Sequence, residues 1–388
     1  GQGALPRPPY GRGRGLSKSH RSSPVVEEKS LSSPEIVSIV GARPQFVKAA
    51  VVSRAFAAIG IGEVVIHTGQ HYDEAMSGRF LTDLGMKNVA ANLAVGSGSH
   101  AHQTARIMTG LQDYLDAQPH QPKAIVVYGD TNSTVAAGLV AAKLGIALMH
   151  VEAGLRSYNR AMPEEINRVV VDHLSSQLFC SSEAGVENLA KEGITRNVHD
   201  VGDVMLDAFR HFSRLAPAST DASVLPPAGE KFALVTIHRP SNTDDSERLG
   251  AIAAALGETG LPCVWPIHPR LQVRLEAMRL PPNVRCLPPV GYLEMLLLLD
   301  RTSVVVTDSG GLQKEAYWAK RTCVTLRSET EWVETLDDGW NVLAEPTGAA
   351  FQAAVRRRPP ASWKELYGDG KASARIAEQI AAHVRSAN

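Results

Sequence analysis

The sequence has no apolar run approaching the length that spans a bilayer, and no hydrophobic stretch near its start of the kind that opens a secretory signal. Neither a membrane protein nor an exported one is expected, so the expected location is the cytoplasm. Cysteine is scarce: Cys180, Cys263, Cys286 and Cys323 stand isolated, without a CxxC pair or histidines at metal-ligand spacing. That pattern argues against a disulfide framework and a metal site, and reads as small buried residues in a reducing compartment. An excess of charge of one sign is also lacking, since 40 lysines and arginines face 40 aspartates and glutamates. A formal net charge of zero gives no global pull toward nucleic acid or a membrane surface. Two phosphate motifs are missing as well, the dinucleotide GxGxxG and the P-loop GxxxxGKS/T, which argues against a nicotinamide cofactor and NTP hydrolysis.

What is present is a chain of 388 residues, long enough for two domains with their own cores, in which 44% hydrophobic and 21% charged residues suit a globular protein. Residues 1–34 are rich in Gly, Pro, Ser and Arg and are expected to form a disordered extension, because they cannot bury enough apolar surface to offset ordering entropy. From residue 35 short apolar runs at 36–40, 63–67, 124–128, 147–151, 178–181 and 198–201 alternate with helical patterns such as 104–115 and 163–176. The alternation restarts at residue 231, with strands expected at 232–236, 263–267, 284–287 and 303–307. The expected fold class is α/β: two Rossmann-like domains, 35–203 and 204–363, face a cleft, and a helix within 364–388 returns to the first domain.

Polar residues gather where these strands end. Asp130 follows the run 124–128, Glu152 follows 147–151, and Glu164 opens a proline-led helix, so three carboxylates converge on the edge of an open α/β sheet where ligands bind. Singly, each has a plainer reading. Asp130 suits a helix cap, Glu164 and Glu165 suit a helix dipole, and Arg168 stands at the spacing to pair with Glu164. Together with His150, Arg156 and Arg168 they point to acid/base chemistry, because grouped like charges are costly without a ligand or a proton to move. After the first strand, Gly41 leaves the backbone open to a ligand, and the helix beginning near Arg43 favours an anion. In the second half, Asp308-Ser309-Gly310-Gly311 before a helix has the form of a phosphate seat, with Glu315 one turn on as an acceptor for a ribose diol. The alternatives are a capped tight turn and a solvated Glu315. His238-Arg239, His268 and Arg270 at companion strand ends favour the diphosphate reading, whereas Arg327 and the segment 329–332 read as a solvated loop.

Five segments carry a resemblance: Gly41-Ala42-Arg43-Pro44-Gln45, Gly129-Asp130-Thr131-Asn132-Ser133, residues 150–156, residues 163–168 and Thr307-Asp308-Ser309-Gly310-Gly311. In this order they resemble the non-hydrolysing UDP-N-acetylglucosamine 2-epimerases, over nearly all of residues 36–376. The resemblance implies a GT-B arrangement and inversion at C2 of a UDP-2-acetamido sugar without a nicotinamide or a metal. It proceeds by elimination of UDP to a 2-acetamidoglycal and re-addition. It makes Asp130, Glu152 and Glu164 the acid/base candidates, leaves open which serves which face of C2, and associates His238 with the departing diphosphate. Arg43, Lys48 and Arg168 become its cationic neighbours, Ser309, Gly310 and Glu315 the phosphate and ribose contacts, and Val290, Gly291 and Tyr292 the uracil site. His268 is counted with the substrate-binding residues.

Substrate-regulated bacterial members carry an arginine after the Gln-His pair, where this chain has Tyr72. Thr330-Glu331-Trp332-Val333 is similar to the branch that includes epimerases of UDP-2,3-diacetamido-glucuronate, which makes a modified or acidic sugar the alternative substrate. A hydrolysing relative is disfavoured by the Gly-Ala-Arg-Pro-Gln opening. A GT-B glycosyltransferase and a non-catalytic UDP-sugar-binding protein are the rivals of other classes. Expected partners are a UDP-sugar and UDP, with no nucleic acid and no membrane, in a homodimer.

Overall fold

The computed structural model describes residues 34–70, 80–219, 222–267 and 269–386. The expectations for residues 1–33, for His71 and Tyr72 and for His268 lie outside the described residues. Continuous apolar runs such as Ile36-Val37-Ser38-Ile39-Val40 and Ala124-Ile125-Val126-Val127-Tyr128 are buried along their whole length. Such runs suit strands covered on both faces, the condition of parallel sheets.

The first sheet has seven strands: β1 (Ile36–Val40), β2 (Glu63–His67), β3 (Val89–Asn92), β4 (Ala124–Tyr128), β5 (Ala147–Ala153), β6 (Gln177–Cys180) and β7 (Val198–Asp200). Their order is β3-β2-β1-β4-β5-β6-β7, and every neighbouring pair is parallel. The second has six: β8 (Ala233–Thr236), β9 (Cys263–Pro266), β10 (Val284–Leu287), β11 (Val304–Thr307), β12 (Thr322–Thr325) and β13 (Asn341–Leu343). Their order is β10-β9-β8-β11-β12-β13, again parallel throughout. Both sheets are doubly wound, so the fold is the two-Rossmann GT-B type. Each order reverses once, between β1 and β4 and between β8 and β11, and the turns beyond those four strands are where a ligand finds a crevice.

Register brings the turns level. Ile39 pairs with Val127, so the turn at Gly41 lies beside the turn at Gly129. Thr236 pairs with Thr307, which sets His238 beside Asp308 and Ser309.

Two crossings join the halves. Asp203 leads from the first sheet into the helix Val204–Ser219, and Tyr367 lies on the return path, with the Asp203 N–H donating to the Tyr367 carbonyl at 2.9 Å. Gly202 (φ +84°) and Gly368 (φ +99°) touch at this crossing; a Cβ on Gly368 would stand 3.0 Å from the Gly202 Cα. The helix Val204–Ser219 packs on both Arg43–Ala58 and Tyr292–Arg301, and Asp207 caps the C-terminal helix Ala372–Ser386 by accepting from the Ser373 N–H (2.7 Å) and hydroxyl (2.6 Å). The C-terminal helix in turn lies on Arg43–Ala58, and one apolar core runs from Ile36 and Phe46 through Phe212 to Leu297 and Ile380. Among the described residues no helix is long and apolar enough to cross a membrane.

At the start of β2, Glu63 accepts from Ser38 and from Asn88 Nδ2 (2.8 Å), and burial pushes its carboxyl up to about 7. An unfolded glutamate titrates near 4.5, so the folded state is penalised increasingly as pH rises through that window, by up to about 3 kcal/mol. Glu63→Gln removes the penalty. The variant should match the parent in thermal melts near pH 4.5 and melt several degrees higher near pH 8.5.

Candidate active site

Gln45 joins the two level turns of the first half. Its Oε1 accepts from the N–H groups of Gly41 (2.8 Å) and Ala42 (3.0 Å), and its Nε2 donates to the Tyr128 carbonyl (2.6 Å) and to the Thr131 and Thr134 hydroxyls (3.0 Å each). A Cβ on Gly41 would overlap the hydroxyls of Thr68 and Ser133, which bond each other at 2.8 Å. The expectation that this glycine opens the backbone to a ligand is therefore corrected: the chain's own side chains fill the space.

Asp130 is not a helix cap, because Thr131 occupies that position before Asn132–Leu144. It is held instead by two consecutive residues of the helix Pro163–Leu174. Asn167 donates to its backbone carbonyl at 2.9 Å, and Arg168 Nη2 donates to its carboxylate at 2.6 Å. The other arm of Arg168 takes Glu165 at 2.8 Å, so the helical pairing with Glu164 does not form. Glu165 also accepts from the Ser157 N–H and hydroxyl and the Tyr158 N–H, each at 2.9 Å, which pins the irregular segment after Arg156. Burial alone would raise the Glu165 carboxyl, but these donors hold it below the ordinary range. Glu164, half-buried, stands at the start of this same helix.

Glu152 is aimed by a defect in its strand. The pairing of β5 with β6 shifts between Val151 and Ala153, and Glu152 takes φ +72°, a left-handed conformation unusual for a glutamate. The turn delivers its carboxylate to the Lys48 ammonium, and a Cβ on Gly129 would lie 3.3 Å from Glu152 Oε2 and 3.8 Å from Lys48 Nζ. Burial, and then the positive charge of Lys314, brings Lys48 down to about 8, against the upward pull of Asp203 and Asp130. Asp130, Glu152, Lys48 and Arg168 thus form one cluster. Arg43 is exposed, its guanidinium 5.6 Å from the Phe80 ring centroid.

In the second half the buried Asp308 carboxylate accepts from the N–H groups of His238 (3.1 Å) and Arg239 (3.0 Å) and from Asn242 Nδ2 (3.0 Å). The half-exposed His238 ring places Nδ1 3.2 Å from the same carboxylate. Ser309 caps Gly310–Trp318, its Oγ accepting from the Leu312 N–H at 3.5 Å, so the hydroxyl proton stays available to an anion at this helix end. A Cβ on Gly310 would stand 3.3 Å from Glu331 Oε1 and 3.5 Å from Trp332 Nε1. Glu331 is exposed and paired with Arg327 at 2.6 Å, in keeping with a solvated loop, whereas Trp332 beside it is half-buried against Gly310. Glu315 is buried, not solvated: burial pushes its carboxyl up to about 7, and the Tyr292 hydroxyl donates to it at 2.9 Å. Val290 and Gly291 lie half-buried just before Tyr292, with Gly291 as the cap of Tyr292–Arg301.

Lys314 had no signal in the sequence. Its ammonium is almost fully buried against the Asp203 carboxylate and lies 3.8 Å from the Trp332 ring centroid. The other Asp203 oxygen accepts from the Met205 N–H at 2.8 Å. One ion pair therefore joins the helix Gly310–Trp318 to the crossing between the halves, close enough to Lys48 to perturb it.

The sequence profile of the family described as UDP-N-acetylglucosamine 2-epimerase matches residues 56–381. The chain belongs to this family. Among its relatives, the Pseudomonas aeruginosa UDP-2,3-diacetamido-2,3-dideoxy-D-glucuronate 2-epimerase is 43% identical over 361 residues, covering 89% of this chain and 99% of that protein. The Methanocaldococcus jannaschii UDP-N-acetylglucosamine 2-epimerase is 38% identical, covering 87% and 96%. The crystal structure of the M. jannaschii UDP-GlcNAc 2-epimerase in complex with UDP-GlcNAc and UDP has a TM-score of 0.79 to this fold, at 36% identity over 89% of this chain and 99% of that one.

Removing one partner of the buried pair leaves an uncompensated charge. Lys314→Ala should lower the free energy of unfolding by about 3 to 5 kcal/mol, with Lys314→Ala/Asp203→Asn recovering a large part of it. Denaturant titration of the two single variants and the double variant measures the coupling.

Proposed function

We propose that the protein is a UDP-sugar 2-epimerase that interconverts UDP-N-acetylglucosamine and UDP-N-acetylmannosamine by eliminating and re-adding UDP. The observation that carries the reading is Glu152, turned out of its strand onto Lys48 beside Asp130, at the switch point of one sheet. A binding protein has little use for such a cluster beside an anionic ligand, since grouped carboxylates weaken affinity.

The reaction needs a base to take the C2 proton as the C1–O bond breaks, leaving a C1=C2 double bond and UDP carrying the bonding electrons. No carbonyl adjoins C2 in the ring, so loosening of the C1–O bond supplies the acidity. Re-addition places a proton on the opposite face, so two groups near C2 are required. Asp130, Glu152 and Glu164 are the groups assigned to that work. Lys48, Arg168, Arg43 and His238 offset the charge gathering on the diphosphate. Ser309 and Gly310 seat the phosphates, Glu315 takes the ribose, and the stretch 290–292 borders the base. Arg168 acts on Asp130 directly, donating to its carboxylate. On the family resemblance, the enzyme is a cytoplasmic homodimer whose ligands are a UDP-sugar and UDP.

The second substrate reading is a diacetamido uronate carried on UDP, favoured by the 43% identity to the P. aeruginosa enzyme. A glycosyltransferase would need an acceptor and no proton exchange at C2. Incubation in heavy water separates the classes: deuterium should enter C2 of UDP-N-acetylglucosamine or of the diacetamido uronate. Failure with every UDP-2-acetamido sugar tried sinks the epimerase reading. Asp130→Asn and Glu152→Gln should each lower kcat by at least about 100-fold with UDP affinity within about threefold.

Because Lys48 titrates near 8, it is charged below that pH and neutral above it. The rate should fall as pH rises through about 8, and Lys48→Arg, whose guanidinium stays protonated, should remove that limb from the profile.

A further inference from the structure

Two residues before Glu152, His150 is wholly buried, with both ring nitrogens engaged: Nδ1 lies 2.7 Å from Asp172 Oδ1 and Nε2 lies 2.8 Å from the Gly129 carbonyl. A carbonyl only accepts, so Nε2 carries a proton. Asp172 is likewise committed to accepting, since its second oxygen takes Arg156 Nη1 at 2.7 Å and the Gly154 N–H at 3.2 Å. Burial would raise the Asp172 carboxyl, but hydrogen bonds and charge from His150 and Arg156 hold it below the ordinary value. Neither neutral tautomer serves both contacts, because one ring nitrogen would then present a lone pair to an acceptor. The charges alternate outward, His150 to Asp172 to Arg156, and Arg156 closes on Glu192 with bonds of 2.7 and 2.8 Å. The Cys180 thiol, raised by burial and then by Asp172, adds no charge.

What this chain holds is specific. Asp172 binds the strand before the bulge through His150 and after it through Gly154, so it brackets Glu152. His150 also grips the carbonyl immediately preceding Asp130.

We propose that His150 is a positioning residue, a doubly protonated imidazolium that fixes the spacing between the Asp130 turn and the Glu152 bulge. It cannot serve as a proton donor to the sugar, because both its protons are spoken for and no part of it meets the cleft. The inference rests on the epimerase reading for its consequence, while the charge state of the ring can be tested apart from it.

Spectra of the protein labelled with nitrogen-15 in histidine should show one ring with slowly exchanging protons on both nitrogens, absent in His150→Gln. A neutral His150 ring overturns the inference whatever the enzyme does. With substrate, His150→Asn keeps a donor at the Nδ1 position and loses the Gly129 contact. It should lower kcat by about 100-fold, with KM and UDP affinity within about threefold. Since the lost contact holds the Gly129 carbonyl just before Asp130, adding His150→Asn to Asp130→Asn should cost little more. Full additivity, or a tenfold loss of UDP affinity, would falsify the positioning role. Absence of C2 exchange in the parent protein removes the epimerase reading and leaves the ring-proton spectrum to judge His150.

Discussion

Buried charges persist only when compensated, and this constraint shapes the floor of the cleft. Lys48 from the first half meets Glu152, and Lys314 from the second meets Asp203 on the crossing, so four ionisable groups withdrawn from water form two pairs close enough to influence each other. Two cations brought this near each other are tolerable because Asp203, Asp130 and Glu152 surround them. The cations here are offset and not in excess, and the same network of pairs links the stability of the crossing to the chemistry proposed above it.

Two of the candidate carboxylates reach this floor, by different devices, and the third stands on the helix that steadies the first. Asp130 follows directly from a parallel strand end and is steadied by Asn167 and Arg168, neighbours on one helix. Glu152 requires a register shift and a left-handed residue, because a regular strand would send its side chain to a sheet face and not to the crevice. Glu164 rides on the proline-led helix that supplies those two supports. Since helix and bulge are both fastened through Asp172, a shift of one carries the others with it. That is how a constellation from three elements stays in register.

The sequence shows this much of the molecule and no more for physical reasons. Strand ends were legible because parallel strands are continuous apolar runs, and polar residues immediately after them mark the crevice edge; Asp130, Glu152 and the Ser309 seat were found that way. β3, with Val89-Ala90-Ala91-Asn92, and the three residues of β13 escaped because they are too short and too small to carry a pattern. Partners were the weaker part. Arg168 looks like a helical partner of Glu164, yet it reaches Asp130, 38 residues away. Lys314 and Asp203 are separated by 111 residues and have no local signature. Gly41 announced a close approach but not by what, since the same absence of a Cβ admits a phosphate or a neighbouring hydroxyl.

Glu315 shows why the two halves must act together. Its carboxyl is brought to about 7 by burial, with the Tyr292 hydroxyl donating to one oxygen. Glu315 is adjacent in the chain to Lys314, whose charge is among the influences that lower Lys48, so the helix Gly310–Trp318 of the second half is electrostatically linked to the first. Trp332 adds a second link: its ring covers the Lys314 ammonium while its indole N–H lies near Gly310, so one side chain stands against both the ion pair and the start of the helix Gly310–Trp318.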